Sequence, residues 1–209
     1  ITVAIGYDKN IINPGMLFDV SKPIRYGKYT INDFHPYEGK LDIKGIIVKS
    51  SNIGIAMIAN KIGKKTQEQF FEKLGFYNKI SLEINETARP SANPNNWGKL
   101  ETMTIGYGHG FAVTPLHLSQ AYASIVNGGY KVRPTLLLKA NNPLFLERII
   151  KTSTSNLIKD LLKAVVEETK YTGPRIKIEG YDIGGKTGTA ELTDSGKYKK
   201  NSNRTAFIS

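Results

Sequence analysis

Two short stretches hold residue types suited to covalent or proton-transfer chemistry. Ser50-Ser51-Asn52 sets two hydroxyls beside an amide, and Lys186-Thr187-Gly188-Thr189 sets a cation beside two hydroxyls. On an extended strand, Lys186 and Gly188 face one side while Thr187 and Thr189 face the other. Gly188 has no side chain, so a backbone or ligand can approach it closely. Ser50-x-Asn52 falls between two helical stretches, where Ser or Asn is also the ordinary start of a helix. The same lysine completes a second pattern. Residues 180–187, from Gly180 through Gly185-Lys186-Thr187, match the phosphate-binding loop in full. That loop needs a helix directly after the lysine, whose N–H groups cradle phosphate. Gly188, Thr189 and the turn residues Asp194-Ser195-Gly196 follow instead, so nucleotide binding is not expected. His35, His109 and His117 are too scattered for a metal site and read as surface or packing residues. Cysteine is absent, which removes disulfides, thiol nucleophiles and cysteine zinc sites together. No metal and no cofactor is expected.

The surrounding pattern predicts the elements that hold these residues. Residues 1–9 read as a short helix end, closed by Asn13-Pro14-Gly15. Residues 16–40 read as loop with short strands. Helices are predicted over 42–50 and 52–62, the second with Ile55, Ile58 and Ile62 in register and Gly63 closing it. Another runs from Gln67 to Leu74. Residues 86–103 read as a polar loop with Pro90, Pro94 and Trp97 as a loop anchor, followed by a glycine-dense turn over 106–110. Thr114 and Pro115 mark the clearest helix start, as N-cap and first helical residue. A helix follows over Ser155 to about Thr169, with strands over 176–190 and 204–209. Helices first and paired strands last give an α+β class.

Composition narrows the function classes. The 209 residues are 40% hydrophobic and 10% aromatic, which excludes a disordered chain and suffices for a sizeable core. The charge of +11 comes from 29 Lys plus Arg against 18 Asp plus Glu. These lysines are dispersed and arginine is scarce, so no nucleic-acid partner is expected. No run of about 18 apolar residues exists, so no membrane helix is expected within these residues. Ile1 to Ile5 opens as core, and residues 205–209 are apolar, so both ends read as cut from a longer protein.

The words around the triplets carry a resemblance. Lys49-Ser50-Ser51-Asn52-Ile53-Gly54, Gly106-Tyr107-Gly108-His109-Gly110-Phe111-Ala112-Val113-Thr114-Pro115-Leu116 and Gly185-Lys186-Thr187-Gly188-Thr189-Ala190 resemble the corresponding stretches of class B penicillin-binding proteins. The likeness is nearest to the septal, cell-division D,D-transpeptidase and extends over nearly all 209 residues. It implies a penicillin-binding/β-lactamase-like fold: an antiparallel sheet flanked by helices plus a helical subdomain. Residues 1–209 would then be a partial transpeptidase domain. The family's Ser-x-x-Lys does not occur in this sequence, because no Ser has Lys three positions later. The resemblance puts that motif on the helix that ends near Asp8, just before Ile1.

The resemblance also implies roles. Ser50 would relay a proton at the leaving amine, Asn52 would orient the substrate amide, and Lys186 would supply positive potential. Thr187 and Thr189 would bind the substrate carboxylate, and the Thr189 N–H would join an oxyanion hole. Gly188 would keep the strand edge open, and Tyr107 and Gly108 would line the cleft. Expected partners are peptidoglycan stem peptides, β-lactams and divisome membrane proteins, on the periplasmic face of the bacterial inner membrane. A serine β-lactamase or β-lactam sensor of the same fold, and a non-catalytic division scaffold, are the alternatives.

Overall fold

The computed structural model describes residues 1–91, 97–138, 145–169, 176, 178–194 and 197–209. Helix α1, Thr2–Asp8, is buried along its whole length. Seven residues make a helix too short to persist alone in water, so packing from every side holds it. Four short strands follow: β1 Phe18–Asp19, β2 Ile24–Tyr26, β3 Tyr29–Ile31 and β4 Lys40–Leu41. β1 pairs with β4, and β2 pairs with β3, both antiparallel. Helix α2, Ile43–Val48, begins at Asp42, whose carboxylate accepts the Gly45 N–H at 2.7 Å. Helices α3, Asn52–Ile62, and α4, Lys64–Leu74, come next. Gly75 closes α4 in the left-handed region at φ 81°, as a helix C-terminus favours.

The second half alternates helices with short pairings. Helix α5 spans Lys99–Gly106, and α6 spans Pro115–Val126 with the Thr114 hydroxyl accepting the His117 N–H. Strands β5, Tyr130–Val132, and β6, Phe145–Arg148, pair antiparallel before α7, Thr152–Glu168. Strands β7, Lys186–Asp194, and β8, Lys197–Ile208, form the long closing hairpin, with Lys186 opposite Ile208 and Thr189 opposite Thr205. The main core gathers side chains from α1, α2, α3, α4 and α7, with Ile5, Ile43, Ile46 and Ile58 fully buried.

The α+β reading holds, and two local expectations are corrected. Residues 86–103 are not all loop, because α5 begins at Lys99. Its start has no capping side chain; the Gly98 N–H donates to Glu101 Oε2 at 2.9 Å instead. Its position is set by tertiary contacts. Trp97 is buried and donates its ring N–H to Thr102 Oγ1 at 3.0 Å, which makes it the anchor expected. The closing strand starts at Lys186, not near 176. Residues just before it bond to α7: the Gly185 N–H donates to Leu162 O at 3.0 Å. A Cβ on Gly184 would sit 3.0 Å from Lys163 N, a tight approach that glycine makes without displacing α7. The turn expected at Asp194-Ser195-Gly196 lies partly outside the described residues, as does Pro94. Among the described residues no helix is long and apolar enough to cross a membrane. His117 is a packing histidine, buried between Thr114 Oγ1 at 2.7 Å and Asn78 O at 2.9 Å.

Candidate active site

The turn between α2 and α3 is where the first motif becomes geometry. Helix α2 closes with the Ser50 N–H donating to Ile47 O and the Ser51 N–H donating to Ile46 O. Ser50 then takes φ 56°, in the left-handed region that glycine ordinarily fills. Strain of this kind persists only where the surroundings over-determine it, and it clusters at functional sites. It turns the chain sharply, so that Ser51, not Ser50, becomes the N-cap of α3. The Ser51 hydroxyl accepts the Gly54 N–H at 2.9 Å. A Cβ on Gly54 would lie 2.6 Å from Ile46, so glycine there lets α2 and α3 pack together. The capping role that competed for Ser50 and Asn52 thus falls on the residue between them. Both flanking side chains are left for other work.

Ser50 meets the second motif. The Lys186 ammonium donates to Ser50 Oγ at 2.8 Å, joining residues 136 positions apart. It also donates to Thr187 O at 3.2 Å and reaches Thr187 Oγ1 at 3.4 Å. All three partners are neutral oxygens. Burial pushes the Lys186 pKa below the ordinary lysine range, because the charged form loses water. Lys186 is set by the start of β7. Gly185, just before it, runs so close to β8 that a Cβ would lie 2.4 Å from the Phe207 ring and 2.8 Å from Ile208 O. The next residues, Thr187, Gly188 and Thr189, are exposed along β7, and a Cβ on Gly188 would have no atom within 4 Å. The space over this strand edge is open.

Asn52 opens α3, and its amide donates to Asn32 O at 3.1 Å. Tyr107 follows the last residue of α5 and packs on the small cluster of Ile31, Ala56 and Met103. Ala56 is one turn beyond Asn52 on the same face of α3. Tyr107 therefore sits beside the Asn52 face, and Gly108 carries the chain away at φ 96°. Helix α5 reaches this spot because Gly106 allows it: a Cβ there would lie 2.4 Å from Ala59 Cβ. The Thr2 hydroxyl ties the same end down by donating to Gly106 O at 2.6 Å. A separate hollow of about 640 Å³ lies between α6, α7 and the end of β8, and none of the candidate residues line it.

One positioning residue had no signal in the sequence. Asp33 accepts the Ser51 hydroxyl at 2.7 Å and the Ile53 N–H at 2.9 Å. Its carboxylate thus lies at the positive end of α3, which favours a negative charge. It lies 18 and 20 residues upstream of its partners, so no local spacing marks it. Lys186, meanwhile, begins a strand and not a helix, which removes the phosphate-loop reading of residues 180–187. Among the described residues no cluster of His, Cys, Asp or Glu could hold a metal ion.

The family described as the penicillin binding protein transpeptidase domain matches residues 1–209. The chain belongs to this family. Among its relatives, the probable peptidoglycan D,D-transpeptidase FtsI of Caulobacter vibrioides is 34% identical over 196 residues, 92% of this chain and 33% of that protein. The probable peptidoglycan D,D-transpeptidase PenA of Neisseria flavescens is 30% identical over 208 residues, 99% of this chain and 51% of that protein. In structure, the transpeptidase domain of Burkholderia pseudomallei penicillin-binding protein 3 superposes with a TM-score of 0.90 at 25% identity, covering 99% of this chain and 62% of that one. The chain spans between a third and about half of the curated relatives named here. It is a penicillin-binding protein domain of class B type, resembling the septal transpeptidases, on the α+β penicillin-binding fold.

Proposed function

We propose that these residues form the walls and carboxylate clamp of a peptidoglycan D,D-transpeptidase active site used in septal wall synthesis. The nucleophile is the serine of a Ser-x-x-Lys segment carried by the longer protein ahead of Ile1. The reading rests on one observation above all: the 2.8 Å contact between Lys186 Nζ and Ser50 Oγ, which unites two motifs 136 residues apart.

The chemistry follows from that contact. The serine oxygen attacks the carbonyl between the last two residues of a stem peptide. The C–N bond breaks, and the departing amine must gain a proton. Ser50 Oγ accepts from the Lys186 ammonium, which draws density from the oxygen and makes its own O–H the better donor. Ser50 is thereby suited to hand a proton to the leaving amine. Lys186 supplies positive potential toward the substrate's terminal carboxylate, and the exposed Thr187 and Thr189 hydroxyls bind it. The Thr189 N–H serves with the serine's own N–H as the oxyanion hole. Asn52, steadied on Asn32 O, orients the substrate amide. β-Lactams trap the same serine. The domain works on the periplasmic face of the inner membrane, with divisome membrane proteins as partners.

The test is mass spectrometry after incubation with labelled penicillin and with a D-Ala-D-Ala stem peptide. The full-length protein is expected to gain one acyl group on the Ser-x-x-Lys serine and to release D-Ala. The isolated 209 residues are expected to gain none. A stable adduct on the isolated residues, or a full-length protein that never acylates, contradicts the reading.

A further inference from the structure

Residues 32–37 run beside residues 49–53 and are pinned to them at both ends. At one end Asn32 O accepts from Asn52, and the Asp33 carboxylate accepts from Ser51 and Ile53. At the other end the Lys49 ammonium lies over the Tyr37 ring, 4.7 Å from its centroid. Partners 32 with 52, 33 with 51 and 53, and 37 with 49 make the two segments pass each other in opposite directions. The stretch between the pins is therefore tethered on both sides of Ser50. It carries two rings, Phe34 and His35, in edge-on contact with centroids 4.9 Å apart and planes at 83°. Phe34 is 89% exposed. A phenyl ring gains by burial, yet this one is held in water on a doubly anchored loop. Ser50 thus has Lys186 of β7 as one neighbour, and the loop is tied to the residues on either side of it, Lys49 before and Ser51, Asn52 and Ile53 after.

We propose that the Phe34–His35 pair is the docking platform for the acceptor strand, a second stem peptide that brings its free amine to the acyl-enzyme. The proposal rests on the transpeptidase reading and deepens it. In the step served, the acceptor nitrogen attacks the acyl carbonyl. A C–N bond forms, the C–O bond to the serine breaks, and the amine proton passes to the serine oxygen. No redox partner is needed. An acceptor peptide has an aliphatic stem, backbone amides and a terminal carboxylate. The Phe34 face takes the aliphatic part, the His35 ring nitrogens take an amide, and the exposed Lys49 takes the carboxylate. Phe34 and His35 act as positioning residues, because neither touches the reacting atoms.

The experiment uses the full-length protein, a small thioester donor and a glycan-free stem peptide as acceptor. Phe34 is exposed, so Phe34→Ala is expected to leave the unfolding midpoint near that of the unaltered protein. Its acceptor KM is expected to rise about tenfold, the scale of one lost aromatic burial. Cross-linking should fall about tenfold more than penicillin acylation does, with water taking the acyl group instead. Phe34→Leu, which keeps an apolar face, should fall in between. The proposal is overturned if the acceptor KM does not move. It is equally overturned if cross-linking and acylation fall together. An unaltered protein that forms no acyl-enzyme contradicts the transpeptidase reading itself, a separate outcome from any of these.

Discussion

Removing the Asp33 carboxylate tests whether the Ser50–Asn52 turn is held from outside its own helix. In Asp33→Ala the Ser51 hydroxyl loses its acceptor at 2.7 Å and the Ile53 N–H loses its acceptor at 2.9 Å. Ser51 and Ile53 are 2% and 3% exposed, so water does not readily replace either bond. Losing a helix N-terminal cap costs about 1 kcal/mol, and hydrogen bonds to a charged group about 1.5–3 kcal/mol each. Asp33 itself is half-buried, which scales the pair down to a total of about 2–3 kcal/mol. Each kcal/mol moves the unfolding midpoint by about 2–4 °C for 150–250 residues and by less for a larger unit, so a fall of a few degrees is expected in the full-length protein. Asp33→Asn keeps one acceptor oxygen and should recover about half. Acylation should slow about tenfold as the turn loosens around Ser50 and Asn52. Thermal unfolding of the full-length protein measures the first effect, and stopped-flow acylation by a chromogenic penicillin the second. An Asp33→Ala midpoint within 1 °C of the unaltered protein refutes the reasoning. So does a loss that is equally large in a Ser51→Ala background, because the two residues would then be uncoupled.

Ser50→Gly relieves a left-handed residue at φ 56°, worth about 1–2 kcal/mol, while adding about 0.5–1 kcal/mol of chain entropy cost. Its unfolding midpoint should stay within a few degrees while acylation falls, and a large loss of stability contradicts the role given to Ser50. Burial holds the Lys186 pKa below 10.5, so its charge is lost at lower pH than that of an exposed lysine. Acylation should decline as pH rises through that lowered value. The unfolded chain keeps this proton up to about 10.5, so between the lowered value and 10.5 the Lys186 contribution makes stability rise with pH. An acylation limb centred above 10.5 contradicts the burial argument. Gly106→Ala sets a Cβ 2.4 Å from Ala59 Cβ and should cost about 1–3 kcal/mol in denaturant unfolding, with Ala59→Gly restoring part of it.

What was legible in the sequence divides along range. Helix α6 was readable from Thr114-Pro115 because its cap and first turn are adjacent residues. Helices α3 and α4 were readable from apolar spacing and the glycines that follow them. Helix α5 was not, because Gly98 offers no capping side chain and its anchors are Trp97 on Thr102 and Gly106 on Ala59. The strand boundary at Lys186 was missed because Gly184 and Gly185 pack on α7 and β8, far away in sequence. At the site, Ser50, Asn52 and Lys186 were visible as words, and their roles came from a family likeness. Their contact was not visible, since 136 residues separate them. Asp33 was invisible for the same reason, as was the switch that makes Ser51 the cap and leaves Ser50 free to meet Lys186.

On the proposed function, Ser50 and Lys186 act as one unit in acyl transfer. A double-mutant cycle on penicillin acylation of the full-length protein tests it most directly. Ser50→Ala and Lys186→Ala should each lower the acylation rate constant about 100-fold, the lower end of proton-transfer catalysis. The double variant should be about as slow as Lys186→Ala alone, because Ser50 has already lost its polarising partner there and its removal takes away little more. A double variant slowed by the product of the two single losses, or a single variant that acylates at the unaltered rate, contradicts the account.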